Sequence, residues 1–185
     1  MLTENELWLL SFYRSSEIGG ALFFGRLAKT IRDPLVQVDM TKHFADESQH
    51  AWYWTDCINR LGAKPVTLSE TYQDQYSSAI GIPANLMEVL AITYIFEKRV
   101  VNQYAKHSNI HGLPPLIGQT LSKIMGDEKW HLEWVRNALT KMESDYGKET
   151  IEDSLERFSR ADEEIYKGIL TEHSERLDEI MKSRS

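Results

Sequence analysis

The pentapeptides DESQH at residues 46–50 and DEKWH at residues 127–131 share the pattern Asp-Glu-x-x-His, and each lies in a segment with helical apolar periodicity. Side chains three residues apart on a helix lie on one face with Cβ atoms about 5–6 Å apart, so the Glu and His of each copy can bind one metal ion. A single Glu-x-x-His is a weak signal, but a second copy with the same preceding aspartate is much less expected by chance. The two copies therefore predict metal ligands on two helices.

Helix-capping and helix-breaking residues divide the chain into long helices. A capping box begins at Thr3, prolines begin three helices, and Thr150 is a typical N-cap. The predicted helices are about 4–31, 34–61, 83–110, 115–146 and 150–182. Residues 63–82 lack a clear period and are interpreted as a long connection, and no strand-like alternation of useful length occurs. We therefore predict an all-α fold in one domain, 1–185, with a core bundle at about 3–146.

Matching carboxylates are expected on the first and third helices. Glu47 and Glu128 each lie 13 residues after the proline that begins their helix. Glu17 lies 14 residues before the end of the first helix, and Glu97 lies 14 residues after Pro83. At 1.5 Å per residue, all four carboxylates are then about 20 Å from one end of the bundle. Glu17 and Glu97 have apolar neighbours, and burying a carboxylate among them is costly unless it is paired or metal-bound.

The connections between the predicted helices are long enough to allow all four carboxylates to lie at one level of the bundle. Short connections make the first and second helices antiparallel, and likewise the third and fourth. A bundle of about 28 residues is about 42 Å tall, whereas about 20 residues in the 63–82 connection reach about 66 Å when extended. The second and third helices are therefore expected to run parallel.

This arrangement of ligands resembles that of the ferritin-like di-iron carboxylate proteins, which include bacterioferritin, rubrerythrin and the aldehyde-deformylating oxygenases. The resemblance covers roughly residues 5–146 and implies a ferritin-like four-helix bundle with a long crossover between helices two and three, plus a C-terminal helix. It implies two iron ions, with manganese as the alternative, because carboxylates and imidazoles form a hard donor set. By this resemblance Glu47 and Glu128 bridge the metals, and Glu17 and Glu97 are terminal ligands. The implied metal ligands are Glu17, Glu47, His50, Glu97, Glu128 and His131.

Four further residues are expected to lie beside the ligands. Asp46 and Asp127 each precede a bridging glutamate, and metal-bound histidines usually donate their second N–H to a carboxylate. Each aspartate is therefore expected to reach the histidine of the opposite motif, with a solvent-facing charge as the alternative. His43, one turn before Glu47, is interpreted as a buried histidine behind the ligands, with a further ligand as the alternative. Tyr94, like Tyr13 and Tyr104, lies near the predicted ligands at helical spacing and is expected to pack in the core, with electron transfer or a hydroxyl hydrogen bond to a ligand glutamate as the alternative.

The composition limits the classes of function. The chain has 185 residues, 42% hydrophobic and 26% charged, which is ordinary for a soluble globular protein. Its formal charge of −7 argues against sequence-independent binding to nucleic acid, which depends on lysine and arginine. No apolar run approaches the roughly 20 residues that span a bilayer, and the N-terminus is acidic, so a cytoplasmic protein is expected. The single Cys57 excludes an internal disulfide and a thiolate-rich metal site.

The resemblance and the apolar surroundings of the ligands favour one function. Phe24, Phe44, Val101 and Ile124 continue the faces that carry the glutamates. We expect an O2-activating oxidase or oxygenase that acts on an apolar small molecule and can take electrons from a donor protein. A monomer or homodimer is expected.

Three alternatives stay open: an iron-storing ferroxidase, a rubrerythrin-like peroxidase and a non-catalytic bundle. Rubrerythrins carry an additional glutamate one turn after the third-helix ligand, where this chain has Val100, and the chain has no Cys-x-x-Cys segment. Bacterioferritins carry a haem-binding methionine after the bridging glutamate, where this chain has Ser48. Both differences favour the oxygenase interpretation.

Overall fold

The computed structural model describes residues 2–68 and 83–184, and all regular secondary structure in these ranges is α-helical. The helices are α1 (Glu4–Thr30), α2 (Pro34–Arg60), α3 (Leu86–Ser108), α4 (Pro115–Lys141), α5 (Glu143–Tyr146) and α6 (Lys148–Arg184). The all-α prediction is confirmed for this part of the chain. Among the helices described, none is both long and apolar enough to cross a membrane.

The first two helices begin where their capping residues predict. The Thr3 side chain accepts a hydrogen bond from the backbone N–H of Glu6, and the Glu6 carboxylate accepts one from the backbone N–H of Thr3. At the start of α2, Asp33 accepts a hydrogen bond from the backbone N–H of Val36 at 3.1 Å. These contacts satisfy donors that the first turn of a helix leaves unpaired.

The third helix begins at Leu86 and not at Pro83, so the predicted start was wrong by three residues. Asn85 is the N-cap, and its side chain accepts a hydrogen bond from the backbone N–H of Glu88 at 3.0 Å. The Glu88 carboxylate in turn accepts a hydrogen bond from the backbone N–H of Ala84 at 2.8 Å. This reciprocal pair is a stronger start signal than a proline two residues earlier.

The predicted fourth helix, 115–146, is interrupted at Met142, where the short α5 follows α4. Gly147 then has φ of 82°, a conformation that glycine adopts without a Cβ clash, and it separates α5 from the last helix. That helix begins at Lys148, two residues before the predicted cap Thr150. The chain therefore turns at Gly147, as the sequence indicates, but the flanking helix ends differ from the prediction.

Helices α1 to α4 enclose two apolar clusters, one towards each end of the bundle. The first cluster combines the N-terminal halves of α1 and α4 with the C-terminal halves of α2 and α3; it includes Leu9, Ile58, Tyr104 and Leu121. The second combines the opposite halves; it includes Phe24, Met40, Leu90 and Val135. The helices α2 and α3 therefore run parallel, as predicted. Most of the predicted crossover, 69–82, lies outside the described residues.

The last helix, α6, packs along α1 and α3 over the full length of the bundle. Ile151 near its start belongs to the second cluster, and Ile180 near its end belongs to the first. Between these points, His173 lies 3.2 Å from the Tyr13 hydroxyl, measured from Nε2. The C-terminal helix is thus docked on its own bundle.

Candidate metal centre

All six predicted ligands meet between the two apolar clusters. The four glutamates are buried, with exposed fractions of 4% for Glu17, 6% for Glu47, 4% for Glu97 and 0% for Glu128. One group of potential ligand atoms, all within 4.8 Å of one another, comes from Glu17, Glu47, His50 and Glu128. A second group comes from His43, Glu47, Glu97 and His131. The two groups share Glu47 and therefore define two adjacent positions.

The two Glu-x-x-His motifs direct the same ring nitrogen into the centre. His131 Nδ1 lies 3.0 Å from Glu128 Oε2, and His50 Nδ1 lies 3.3 Å from Glu128 Oε1. His50 Nδ1 is also 3.5 Å from Glu17 Oε2. The two oxygens of Glu128 therefore face different histidines, one at each position.

Each histidine contacts the aspartate of the opposite motif through its other nitrogen. His50 Nε2 lies 3.2 Å from Asp127 Oδ2, and His131 Nε2 lies 3.3 Å from Asp46 Oδ2. These are the contacts expected from the sequence. Because a carboxylate accepts, each Nε2 carries a proton. Nδ1, which faces the carboxylate cluster, is therefore the nitrogen that a metal ion could bind in place of a proton.

Lys42 holds Asp46 in its charged form. Its ammonium group forms an ion pair with Asp46 and lies 3.7 Å from the centroid of the Trp130 ring. Burial alone would raise the pKa of Asp46, but hydrogen bonds from His131 and Lys42 lower it to about 2. A permanent negative charge at Asp46 keeps the Nε2 proton on His131.

Tyr104 fixes Glu17 in the centre. Its hydroxyl donates to Glu17 Oε1 and accepts a hydrogen bond from Trp54 Nε1 at 3.1 Å. Burial and then the charge of Glu17 raise the pKa of Tyr104 well above its usual value, so the phenol stays protonated as a donor. The signal in the sequence is that Tyr104 lies seven residues, or two helical turns, after Glu97.

Tyr94 lies elsewhere. Its hydroxyl accepts a hydrogen bond from Arg136 Nη2 at 3.0 Å on an exposed part of the molecule. The contact with a ligand glutamate that was considered for Tyr94 is therefore made by Tyr104. The two tyrosines are ten residues apart on α3, so they face different directions on the helix.

Gly20 makes room for Glu47. A Cβ added to Gly20 would lie 2.1 Å from Glu47 Oε2, well inside van der Waals contact. A glycine inside a helix costs about 1 kcal/mol relative to alanine. The structure places Gly20 directly against a candidate ligand, which accounts for a glycine at this position.

His43 is the residue whose role the sequence left most open. Its Nε2 lies 3.0 Å from Glu97 Oε1 and 3.3 Å from Glu47 Oε1, which places it at ligand distance from both carboxylates. The ring is stacked between Phe24 and His131, with centroid distances of 3.9 Å and 3.7 Å. Burial lowers the pKa of His43 despite the charge of Glu97, so the ring is neutral at pH 7.

The four buried carboxylates of the centre need cations to balance their negative charge. Burial, and then the charges of Glu17 and Glu97, raise the pKa of Glu47 well above its usual value. Burial opposes protonation of His50, but the nearby carboxylates of Glu128 and Glu17 raise its pKa to about 12. Buried His50 Nδ1 and Glu128 Oε1 have no hydrogen-bond partner. Two divalent cations would balance the four carboxylates and engage these atoms, so the residues fit a two-metal centre.

Comparison with known proteins identifies no relative of this chain. No protein-family model matches the chain, and no curated protein or solved structure matches it. The contacts described above are therefore the basis for a function.

Proposed function

We propose that this protein is a ferritin-like di-metal carboxylate protein that holds two iron ions and uses O2 to oxidise an apolar small molecule. The observation that carries the proposal is the pair of adjacent ligand groups that share Glu47 and lie buried between two apolar clusters. When bound, two neighbouring ferrous ions supply two electrons to O2 together. The ligands would be Glu17, Glu47, His50, Glu97, Glu128 and His131.

The positions of the carboxylates support distinct roles for them. Glu47 belongs to both ligand groups, and the two oxygens of Glu128 face His50 and His131 separately. Glu47 and Glu128 are therefore suited to bridge the metals. Glu17 and Glu97 each belong to one group, as terminal ligands do.

The donor set supports iron, with manganese as the alternative. Carboxylate oxygens and imidazole nitrogens suit these metals, whereas thiolates favour zinc, copper(I) and iron–sulfur clusters. The single cysteine, Cys57, is buried in the first apolar cluster. Burial also raises the pKa of this thiol, which disfavours the thiolate that metals bind.

A cleft of about 630 Å³ lies between the start of α2 and the end of α4. Trp130 and Trp134 line it, and both contact a histidine of the centre. The Trp134 indole Nε1 lies 3.2 Å from His43 Nδ1, and the Trp130 and His131 ring centroids are 5.6 Å apart. One layer of aromatic rings therefore separates the cleft from the ligands, and this layer excludes water from them.

The charge of the cleft favours an amine among apolar substrates. Its charged lining residues are Asp33, Asp39, Glu133, Asp145 and Lys141. Four carboxylates against one ammonium attract a cationic group and repel a carboxylate. The indole rings of Trp130 and Trp134 add a surface that binds both apolar groups and cations.

The reaction with O2 separates this function from its main alternative. Ferrous-loaded protein is mixed with O2 alone, with an arylalkyl amine, and with the carboxylic acid of the same carbon skeleton. We expect the amine to accelerate O2 consumption and to yield an oxidised product by mass spectrometry, with a smaller effect of the acid. Protein loaded with zinc is the control for metal-independent chemistry.

The same cleft also fits a ferroxidase, because its carboxylates would attract ferrous iron as well as an amine. A ferroxidase consumes O2 without any organic substrate and deposits ferric iron. If neither compound changes the rate of O2 consumption and a ferric mineral grows with each addition of iron, the oxygenase proposal is wrong and iron oxidation is the function.

A further inference from the structure

Three buried histidines face the same carboxylate cluster, and the partner of the other ring nitrogen differs among them. His50 and His131 each have an aspartate oxygen at Nε2, at 3.2 Å and 3.3 Å. His43 has the indole Nε1 of Trp134 at Nδ1, at 3.2 Å. An aspartate oxygen accepts a hydrogen bond, whereas an indole N–H can only donate one. This difference decides which nitrogen of each neutral ring has an available lone pair.

An aspartate partner at one ring nitrogen makes the other ring nitrogen available to a metal ion. A carboxylate accepts a hydrogen bond, so Nε2 of His50 and of His131 carries a proton. In a neutral imidazole the other nitrogen then has a lone pair. In both residues that nitrogen is Nδ1, and it faces the glutamates.

A tryptophan partner has the opposite effect. The indole N–H is only a donor, so the Nδ1 of His43 must accept and cannot carry the proton. The proton of the neutral ring is then on Nε2, which faces Glu97 and Glu47 at 3.0 Å and 3.3 Å. Turning the ring over would deprive the buried indole N–H of its acceptor, which is costly. The stacks on Phe24 and His131 further restrict the ring.

We infer that Trp134 prevents His43 from becoming a third nitrogen ligand, because it keeps the proton of the ring on Nε2, the nitrogen that faces Glu97 and Glu47. This inference rests on the proposed two-metal centre. It means that each metal position receives one imidazole, although three imidazoles lie within reach. A third imidazole would make one position richer in nitrogen and would shift its preference towards zinc, copper and nickel. Trp134 is therefore a residue that determines metal selectivity without touching the metal.

The metal-free protein tests the tautomer directly. The full chain is labelled with ¹⁵N-histidine, and long-range ¹H–¹⁵N correlation spectra show which nitrogen of each ring carries a proton. We expect the proton of His43 on Nε2, with Nδ1 unprotonated and hydrogen-bonded; His43→Gln assigns the signal. A His43 ring with its proton on Nδ1 in the wild-type protein would overturn the inference. This measurement needs no metal, so it stands even if the proposed function fails.

Zinc-loaded protein tests the consequence for ligation, because zinc is diamagnetic and its bound nitrogens shift in the same spectra. We expect zinc-bound Nδ1 atoms from His50 and His131 only in the wild-type protein. Trp134→Phe removes the donor and should add a zinc-bound nitrogen from His43. Trp130→Phe, which removes the neighbouring indole, should leave the pattern unchanged. Zinc-bound His43 in the wild type, or no change in Trp134→Phe, contradicts the inference.

Discussion

Glu47 is the residue on which both metal positions depend, because it belongs to both ligand groups. Its Oε2 atom lies against α1: a Cβ added to Gly20 would be 2.1 Å from this oxygen. A glycine in the middle of a helix has no benefit for the helix itself. Gly20 therefore serves the position of the Glu47 carboxylate and not the stability of α1.

We predict that Gly20→Ala weakens binding of the first metal equivalent by about tenfold or more, which corresponds to about 1.4 kcal/mol. The added methyl group has to displace Glu47, and overpacking of this kind typically costs about 1–3 kcal/mol. The displaced atom is the end of a flexible side chain, so in the metal-free fold the cost lies at the low end of this range, and the gain of about 1 kcal/mol in helix propensity offsets it; the free energy of unfolding should therefore change little. Metal titration and thermal unfolding measure the two effects.

Gly126→Ala is the matched control. Gly126 lies within α4, and a Cβ there would meet nothing within 4 Å. This substitution should raise the free energy of unfolding by about 0.5–1 kcal/mol and leave metal affinity unchanged. Equal metal affinities for Gly20→Ala and the wild type would show that Glu47 does not need the space.

The grouping of the candidate ligands could be predicted in part from the sequence, because the geometry within each Glu-x-x-His motif is local. Glu47 and His50 share a face of α2 whatever surrounds that helix. The roles of Gly20 and Tyr104 depend on which helix they face, and this depends on tertiary packing. His43 lies between these cases, since its face was predictable but its tautomer depends on Trp134, 91 residues away.

At the scale of the helices, the four glutamates lie at one level of the bundle, as predicted. Equal residue counts from the helix ends are not the reason. Glu97 was placed by counting from Pro83, yet α3 begins at Leu86. The helices therefore do not all begin or end at the same height. For this reason, equal residue counts from their ends do not place the glutamates at one level. The common level comes from the two apolar clusters, which pack the helices above and below the glutamates. The sequence predicted a C-terminal helix but not the surface on which α6 packs.

Two further histidines lie where α6 docks, and neither faces the metal centre. His107 on α3 is fully buried, and His173 on α6 contacts the Tyr13 hydroxyl. Burial lowers the pKa of each to about 4; the charge of His173 adds to this for His107, and that of Lys106 does so for His173. The folded protein therefore holds both rings in the neutral form.

This predicts that the bundle loses stability in mild acid. The unfolded chain binds a proton at each histidine near pH 6.5, whereas the folded chain does so only near pH 4. The contribution of these two histidines to the free energy of unfolding therefore falls as the pH drops from about 6.5 to 4, on the order of 1–3 kcal/mol for each. Denaturant unfolding of the metal-free protein across this range measures the slope.

Substitution identifies the source of that slope. His173→Gln keeps a hydrogen-bonding group near Tyr13 but cannot take up a proton, so it should make the pH dependence shallower. His111→Gln, at an exposed histidine, should leave the slope as in the wild type. A slope that His173→Gln does not change would place the acid sensitivity elsewhere.

Considered as a whole, the molecule surrounds four carboxylates with apolar packing at both ends of the bundle. Without metal, protons on His50 and His131 offset part of this charge, since hydrogen bonds to carboxylates outweigh burial and raise the pKa of both. In the proposed centre, divalent ions would replace these protons and complete the neutralisation. The parallel course of α2 and α3, which places the four carboxylates together, could be predicted from connection lengths and motif spacing. The path of residues 69–82 lies outside the described structure.

The content of iron after anaerobic loading tests the central claim most directly. Protein incubated with excess ferrous iron and then desalted should retain about two irons per chain. Glu128→Gln should lose most of this iron because it removes a carboxylate whose oxygens face both positions, whereas Glu133→Gln, at an exposed site on the same helix, should retain it. A wild-type content near zero, or equal retention by Glu128→Gln and Glu133→Gln, would contradict the two-metal centre.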